Sequence, residues 1–153
     1  MATAEKRIHW WAGTLDELRS MPEDVRDDIG HGLRVAQEGK KAPAAEPLTG
    51  LKEFKGGKVL EIVSKFDGDT YRGVYTIEFE EMVYTLDVFK KKSKEGRATP
   101  KQDIDRIVAR VKAVRQWRES PEGKAVVASA LADLKRRQAE LDEKEQKNAL
   151  KPK

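Results

Sequence analysis

The chain contains no cysteine, which excludes a disulfide framework, a thiolate nucleophile and a sulfur-ligated metal. Its two histidines, His9 and His31, stand far apart without metal-ligand spacing, so no histidine-based zinc site, and no metal or cofactor of another kind, is expected. No apolar run approaches the roughly 20 residues that a bilayer crossing requires, and no signal-peptide pattern opens the sequence. The expectation is therefore a soluble, cytoplasmic protein with no membrane partner. A length of 153 residues, 38% hydrophobic and 38% charged, suits one compact core with an appendage rather than two sizeable domains.

What the sequence does have is charge, nearly balanced overall at 31 basic against 27 acidic residues, net +4, with a pI near 9.2. The imbalance is local. Between Asp87 and Lys101 the chain reads D-V-F-K-K-K-S-K-E-G-R-A-T-P-K, six basic residues against two acidic ones, a net +4 equal to that of the whole chain. A cationic ridge between a strand pattern and a helix start suits a polyanion such as RNA. A solvated lysine-rich loop would have the same composition.

The order of elements follows from periodicity and punctuation. Arg7 to Trp11 reads as a short opening strand, and Thr14 as the N-cap of a first helix with Glu17 completing a capping box. After Pro22, the spacing of Val25, Ile29, Leu33 and Ala36 predicts a second helix that stops at Gly39. Residues 40–57, rich in proline and glycine, read as a long loop. Alternation then predicts three strands, Val59–Phe66, Thr70–Phe79 and Met82–Lys90, in an antiparallel meander. Thr99-Pro100-Lys101-Gln102 reads as the capped start of a third helix with the stripe Ile104, Ile107, Val108, Val111 and Val114. Ser120-Pro121 interrupts it, and a polar helix runs from about Glu122 to Lys147, with a disordered tail expected from Lys144. The fold class is α+β: a small antiparallel sheet, two N-terminal helices, a helix after the sheet and an extra C-terminal helix.

Two-residue turns at Asp67-Gly68 and Glu80-Glu81 agree on one core face holding Leu60, Ile62, Phe66, Tyr71, Tyr75, Ile77, Tyr84, Leu86 and Val88. The opposite face then carries Glu61, Val63, Arg72, Val74, Asp87, Phe89 and Lys91, with Arg72 opposite Phe89 and Val74 opposite Asp87. This second face is expected to be open to solvent. Trp10, Trp11, Trp117, Tyr71 and Tyr75 read as core, and His31, between Gly30 and Gly32, as part of a close helix contact.

Cutting RNA without a metal uses the substrate's 2′-hydroxyl as nucleophile, which needs help in deprotonation, charge stabilisation at the phosphoryl oxygens and a proton for the departing oxygen. Arg72, Lys91 and Lys92 are candidates for the second and third tasks, since guanidinium grips phosphate with two prongs and ammonium offers a compact charge and a proton. Phe89 is a candidate to stack on an unpaired base, and Lys90, Ser93, Lys94 and Arg97 to line the strand's path. Glu61 or Asp87 could serve as base or could orient Arg72 through a salt bridge.

The run L-E-I-V-S-K-F-D-G-D-T-Y-R-G-V-Y-T-I at 60–77, V-Y-T-L-D-V-F-K-K-K-S-K-E-G-R-A-T-P at 83–100, and the upstream W-W-A-G-T-L-D-E-L-R-S-M-P, V-A-Q-E-G and P-L-T-G-L resemble the phage-derived HigB-like branch of the RelE/ParE toxin superfamily. The resemblance spans about Trp10 to Val114, and Y-R-x-x-Y and F-x-K-K-S are its most specific parts. It implies a toxin domain over 1–116 with a helical extension over 117–153. It also implies a ribonuclease that cuts messenger RNA in the ribosomal A site and is silenced by a cognate antitoxin. By that likeness Arg72, Lys91 and Lys92 bind or activate the scissile phosphate, with Glu61 and Phe89 as weaker transfers. Asp87 stands where many relatives have histidine. The extension could dock back on the domain, form a homo-oligomer or receive the antitoxin. A ParE-like inhibitor of a protein target such as DNA gyrase, or an inactive RNA-binding module, are the alternatives.

Overall fold

The structure, a computed structural model, describes residues 2–91 and 99–150. The aromatic run forms β1 (Arg7–Trp10) and passes through a 3₁₀ turn into α1 (Thr14–Arg19) and α2 (Glu23–Gln37). Next come β2 (Ala45–Pro47), β3 (Val59–Phe66), β4 (Asp69–Thr76), β5 (Met82–Lys90), α3 (Lys101–Glu119) and α4 (Pro121–Ala149). The five strands form one open sheet in the order β1-β5-β4-β3-β2. The class is α+β as expected, but the sheet is mixed, because β1 pairs with β5 in parallel.

The hairpin between β3 and β4 has the expected register, with Phe66 opposite Asp69, Ile62 opposite Gly73 and Leu60 opposite Tyr75. Its turn places Asp67 and Gly68 at φ 50° and 81°, the left-handed pair that such two-residue turns require. The next connection departs from expectation. Arg72 faces Phe89 and Val74 faces Asp87 as predicted, yet Tyr75 then faces Thr85, so Leu86 is an extra residue on β5. This bulge shifts the alternation by one. Tyr84 and Leu86 therefore join Val74 instead of Leu60, and Val83 takes their place. Ile77, expected in the core, lies beyond β4 and is exposed.

Both faces of the sheet are covered. On one, α2 lays Val25, Ile29, Leu33 and Ala36 against Leu60, Ile62, Tyr75 and Val88. The approach is close: a Cβ on Gly32 would stand 2.6 Å from Ile62 Cδ1, and one on Gly73 2.7 Å from Ile29 Cγ2. Gly32 makes that contact, while His31 is exposed. On the other face, α3 buries Ile107, Val111 and Val114 against Val74, Tyr84 and Leu86. The expectation of an open second face thus fails, because the bulge turns two more large side chains toward it and α3 covers them. Each of those α3 side chains is worth about 1.5–3 kcal/mol when fully buried, so the helix is not lifted cheaply.

Several local readings are corrected. Thr14 is the first residue of α1, not its cap, and its hydroxyl donates to the Thr85 carbonyl at 3.4 Å. Gly13, at φ 74°, precedes it instead. The loop over 40–57 contains β2, whose three residues pair antiparallel with β3. The expected tail from Lys144 is helical through Ala149. Ser120 caps α4, accepting from the Gly123 amide at 3.1 Å behind Pro121. The extension packs on α3 and is tied to the N-terminal segment: Gln138 Oε1 accepts from the Ala4 amide at 2.8 Å, and Gln138 Nε2 donates to the Ala2 carbonyl at 3.0 Å. Trp11 and Trp117 pack with ring centroids 5.8 Å apart beside the α3-side core, and Trp10 packs on the α2-side core. Among the described residues no helix is long and apolar enough to cross a membrane.

Candidate active site

Strand alternation places Glu61 on β3 and Arg72 on β4 on the α3-covered face, where their side chains form a buried ion pair between Arg72 Nη1 and Glu61 Oε1. Thr99, just before α3, completes it. Its hydroxyl donates to Glu61 Oε2 at 2.8 Å and accepts from Arg72 Nη1 at 3.4 Å. This is why Thr99 does not cap α3, whose N-cap position is Pro100 with no side-chain bond. Lys91 is buried with them at the end of β5, its amide donating to the Thr70 carbonyl at 2.7 Å. Glu61, Arg72 and Lys91 are only 5%, 4% and 6% exposed. Burial raises the Glu61 carboxyl above its ordinary value, against the Thr99 hydrogen bond and the fields of Arg72 and Lys91, which favour the charged form.

Asp87 and Phe89 lie on the same face of β5 but have different partners. Arg106 Nε donates to Asp87 Oδ2 at 2.7 Å, and Arg110 Nη1 donates to Asp87 Oδ1 at 3.0 Å and to the Leu86 carbonyl at 2.8 Å. Arg106 Nη2 reaches Asp103 Oδ1 at 2.7 Å, and its guanidinium lies 5.2 Å from the Phe89 ring centroid. Burial raises the Asp87 carboxyl, opposed by the two arginines. A cleft of about 390 Å³ opens beside this group, lined among others by Phe89, Lys90, Gln102, Asp103, Arg106 and Arg110. Lys90 also pairs with Asp69 at 2.9 Å.

The fold thus gathers Glu61, Arg72 and Lys91 in one cluster and sets Asp87 and Phe89 beside the cleft. Lys92, Ser93, Lys94 and Arg97 lie outside the described residues. Sequence reasoning missed Thr99, Arg106 and Arg110. A signal was present: Asp103, Arg106 and Arg110 recur at steps of three and four, one side of a helix. Its meaning depended on knowing that α3 lies across the sheet.

An α+β chain with an open five-stranded mixed sheet, whose carboxylate and cations are gathered under the helix that follows β5, defines the class. The sequence profile described as "Phage derived protein Gp49-like (DUF891)" matches residues 16–112. The chain belongs to that family. Comparison with curated proteins and with solved structures gives no significant match.

Proposed function

We propose that this protein is the toxin of a type II toxin–antitoxin pair, of the HigB-like kind within the RelE/ParE superfamily, and that it cuts messenger RNA at the ribosome without a metal. The observation that carries this reading is the cluster in which a carboxyl of raised proton affinity sits against a guanidinium and near an ammonium. Such a set matches the needs of 2′-hydroxyl attack. Glu61 accepts the hydroxyl proton, the new bond forms between the 2′-oxygen and phosphorus, and the bond to the 5′-oxygen breaks, leaving a 2′,3′-cyclic phosphate and a 5′-hydroxyl. Arg72 and Lys91 neutralise the phosphoryl oxygens, and Lys91 or Lys92 supplies the leaving-group proton. The pair is closed, so a phosphate reaches Arg72 by taking the place of Glu61 on the guanidinium. Asp87, engaged by Arg106 and Arg110, is the poorer base. A cytoplasmic site of action and a cognate antitoxin follow from the same reading.

Expression in growing cells with transcript ends mapped tests it. New ends inside open reading frames are expected, falling about 100- to 1,000-fold in Arg72→Ala and Lys91→Ala, the usual loss when one transition-state electrostatic partner is removed. Toxicity with DNA damage and intact transcripts would replace this reading with inhibition of a protein such as gyrase.

A further inference from the structure

The cleft beside Phe89 holds a guanidinium that the cleavage chemistry above does not use. Arg106 is held on two edges, its Nε by Asp87 and its Nη2 by Asp103, each at 2.7 Å, while its Cζ sits over Phe89, 5.2 Å from the ring centroid. Arg110 locks the arrangement from behind by bonding both Asp87 and the carbonyl of the bulged Leu86. The side chain of Arg106 is nonetheless 37% exposed, and its Nη1 is used by neither carboxylate. A guanidinium fixed in this way has lost its rotamer freedom before any ligand arrives. Its outer face is a flat, cationic platform at the wall of a cleft large enough for one nucleotide unit.

We propose that Arg106 is the stacking platform for one unpaired RNA base, with Phe89 as the layer beneath it. This rests on RNA being the substrate of the adjoining cluster, since Phe89 is the cross-strand partner of Arg72. A base cannot lie on the ring face that Arg106 already covers, so the order of the stack is ring, guanidinium, base. Bases stack on arginine planes as well as on aromatic rings, and every base has a π face, so the platform positions the strand without choosing its sequence. Asp87, Asp103 and Arg110 are positioning residues that hold the plane. The bulge matters because it turns Leu86 to the α3 side next to Asp87, and Arg110 bonds the Leu86 carbonyl and the Asp87 carboxylate together.

The test uses the full chain and a short 2′-O-methyl RNA carrying 2-aminopurine, which cannot be cut and whose fluorescence falls when the base stacks. The wild type is expected to bind and quench it. Arg106→Lys keeps a cation opposite Asp87 and Asp103 but removes the plane. It should lose the quench and about tenfold in affinity, with the dependence on salt concentration unchanged because the charge count is the same. Phe89→Leu keeps the apolar volume and should weaken quench and affinity to a smaller degree, so the question stays decidable if the lysine variant is unstable. Quench and affinity retained in both variants overturn the proposal, as does a wild type that binds without quenching. Cleavage of unmodified RNA is scored separately with Arg72→Ala. Cleavage that depends on Arg72 without any effect of Arg106 sinks the stack alone, and stacking without cleavage sinks the nuclease reading alone.

Discussion

The Arg72–Glu61 pair offers the sharpest test of the fold around the site. Both side chains are under a tenth exposed, so replacing either one leaves the other charge in a place where water cannot compensate it. Removing one member of a buried pair costs about 3–5 kcal/mol, against a total stability of about 5–15 kcal/mol for a domain of ordinary size. Glu61→Leu and Arg72→Met should therefore each lower the melting temperature by roughly 6–20 °C, at 2–4 °C per kcal/mol for a chain of this length. Combining Glu61→Leu with Arg72→Met removes both charges and substitutes apolar side chains of similar reach. It also strands the Thr99 hydroxyl, which donates to Glu61, a cost of about 1–3 kcal/mol. The buried Lys91 ammonium also loses the Glu61 carboxylate whose charge it favours, so the double variant should recover only part of the loss. Urea unfolding followed by circular dichroism, run as a double-mutant cycle, reads out a coupling above about 2 kcal/mol. Single variants that each cost below about 1 kcal/mol would place the pair among exposed ion pairs and refute the enclosed geometry. Simple additivity in the cycle would refute the direct contact.

Two further outcomes follow from sites remote from this pair. Glu81, 2% exposed, takes two bonds from Arg118 and one from Tyr84; burial raises its carboxyl, but these bonds together hold it below its ordinary 4.5. The folded state thus binds its proton less readily than the unfolded chain, so the stabilisation is present above about pH 4.5 and fades as pH falls through the folded value. Wild type minus Glu81→Gln, measured by urea midpoints from pH 7 to pH 3, should shrink on acidification; a difference independent of pH contradicts the assignment. Gly123 is the second site: an added Cβ would stand 1.8 Å from the Trp117 carbonyl oxygen, whereas one on Gly30 meets nothing within 4 Å. Gly123→Ala should cost at least about 1–3 kcal/mol and Gly30→Ala should gain about 0.5–1 kcal/mol, compared by thermal melts; equal effects would show that the turn between α3 and α4 is looser than described.

Much of this arrangement was legible in the sequence where the signal is local. The Asp67-Gly68 turn fixes the β3–β4 register, and from there alternation correctly puts Glu61, Arg72, Asp87 and Phe89 on one face. The helices over 23–37 and 101–119 follow from their apolar spacing. Failures came where distant contacts decide. Nothing in T-L-D-V marks Leu86 as an extra residue, because the bulge is set by pairing with β4 and by burial under α3. A three-residue strand such as Ala45–Pro47 is too short for alternation to register. Thr99 has every local credential of a helix cap, yet its hydroxyl is drawn to Glu61, a partner 38 residues away. The reading of the second face as solvent-facing failed for the same reason: charged residues on a strand look exposed until a later helix, here α3, is known to lie over them.

The sheet's outer strands are only four and three residues long, β1 and β2. They cover only Met82–Thr85 of the nine-residue β5 and Leu60–Ile62 of the eight-residue β3, so a strand added by a partner would meet main-chain groups of β5 and β3 beyond the ends of β1 and β2. Because nearly two-fifths of the chain's residues are charged, such a strand would have to match the charges flanking the margin as well as its main-chain groups, and its docking would weaken as ionic strength rises.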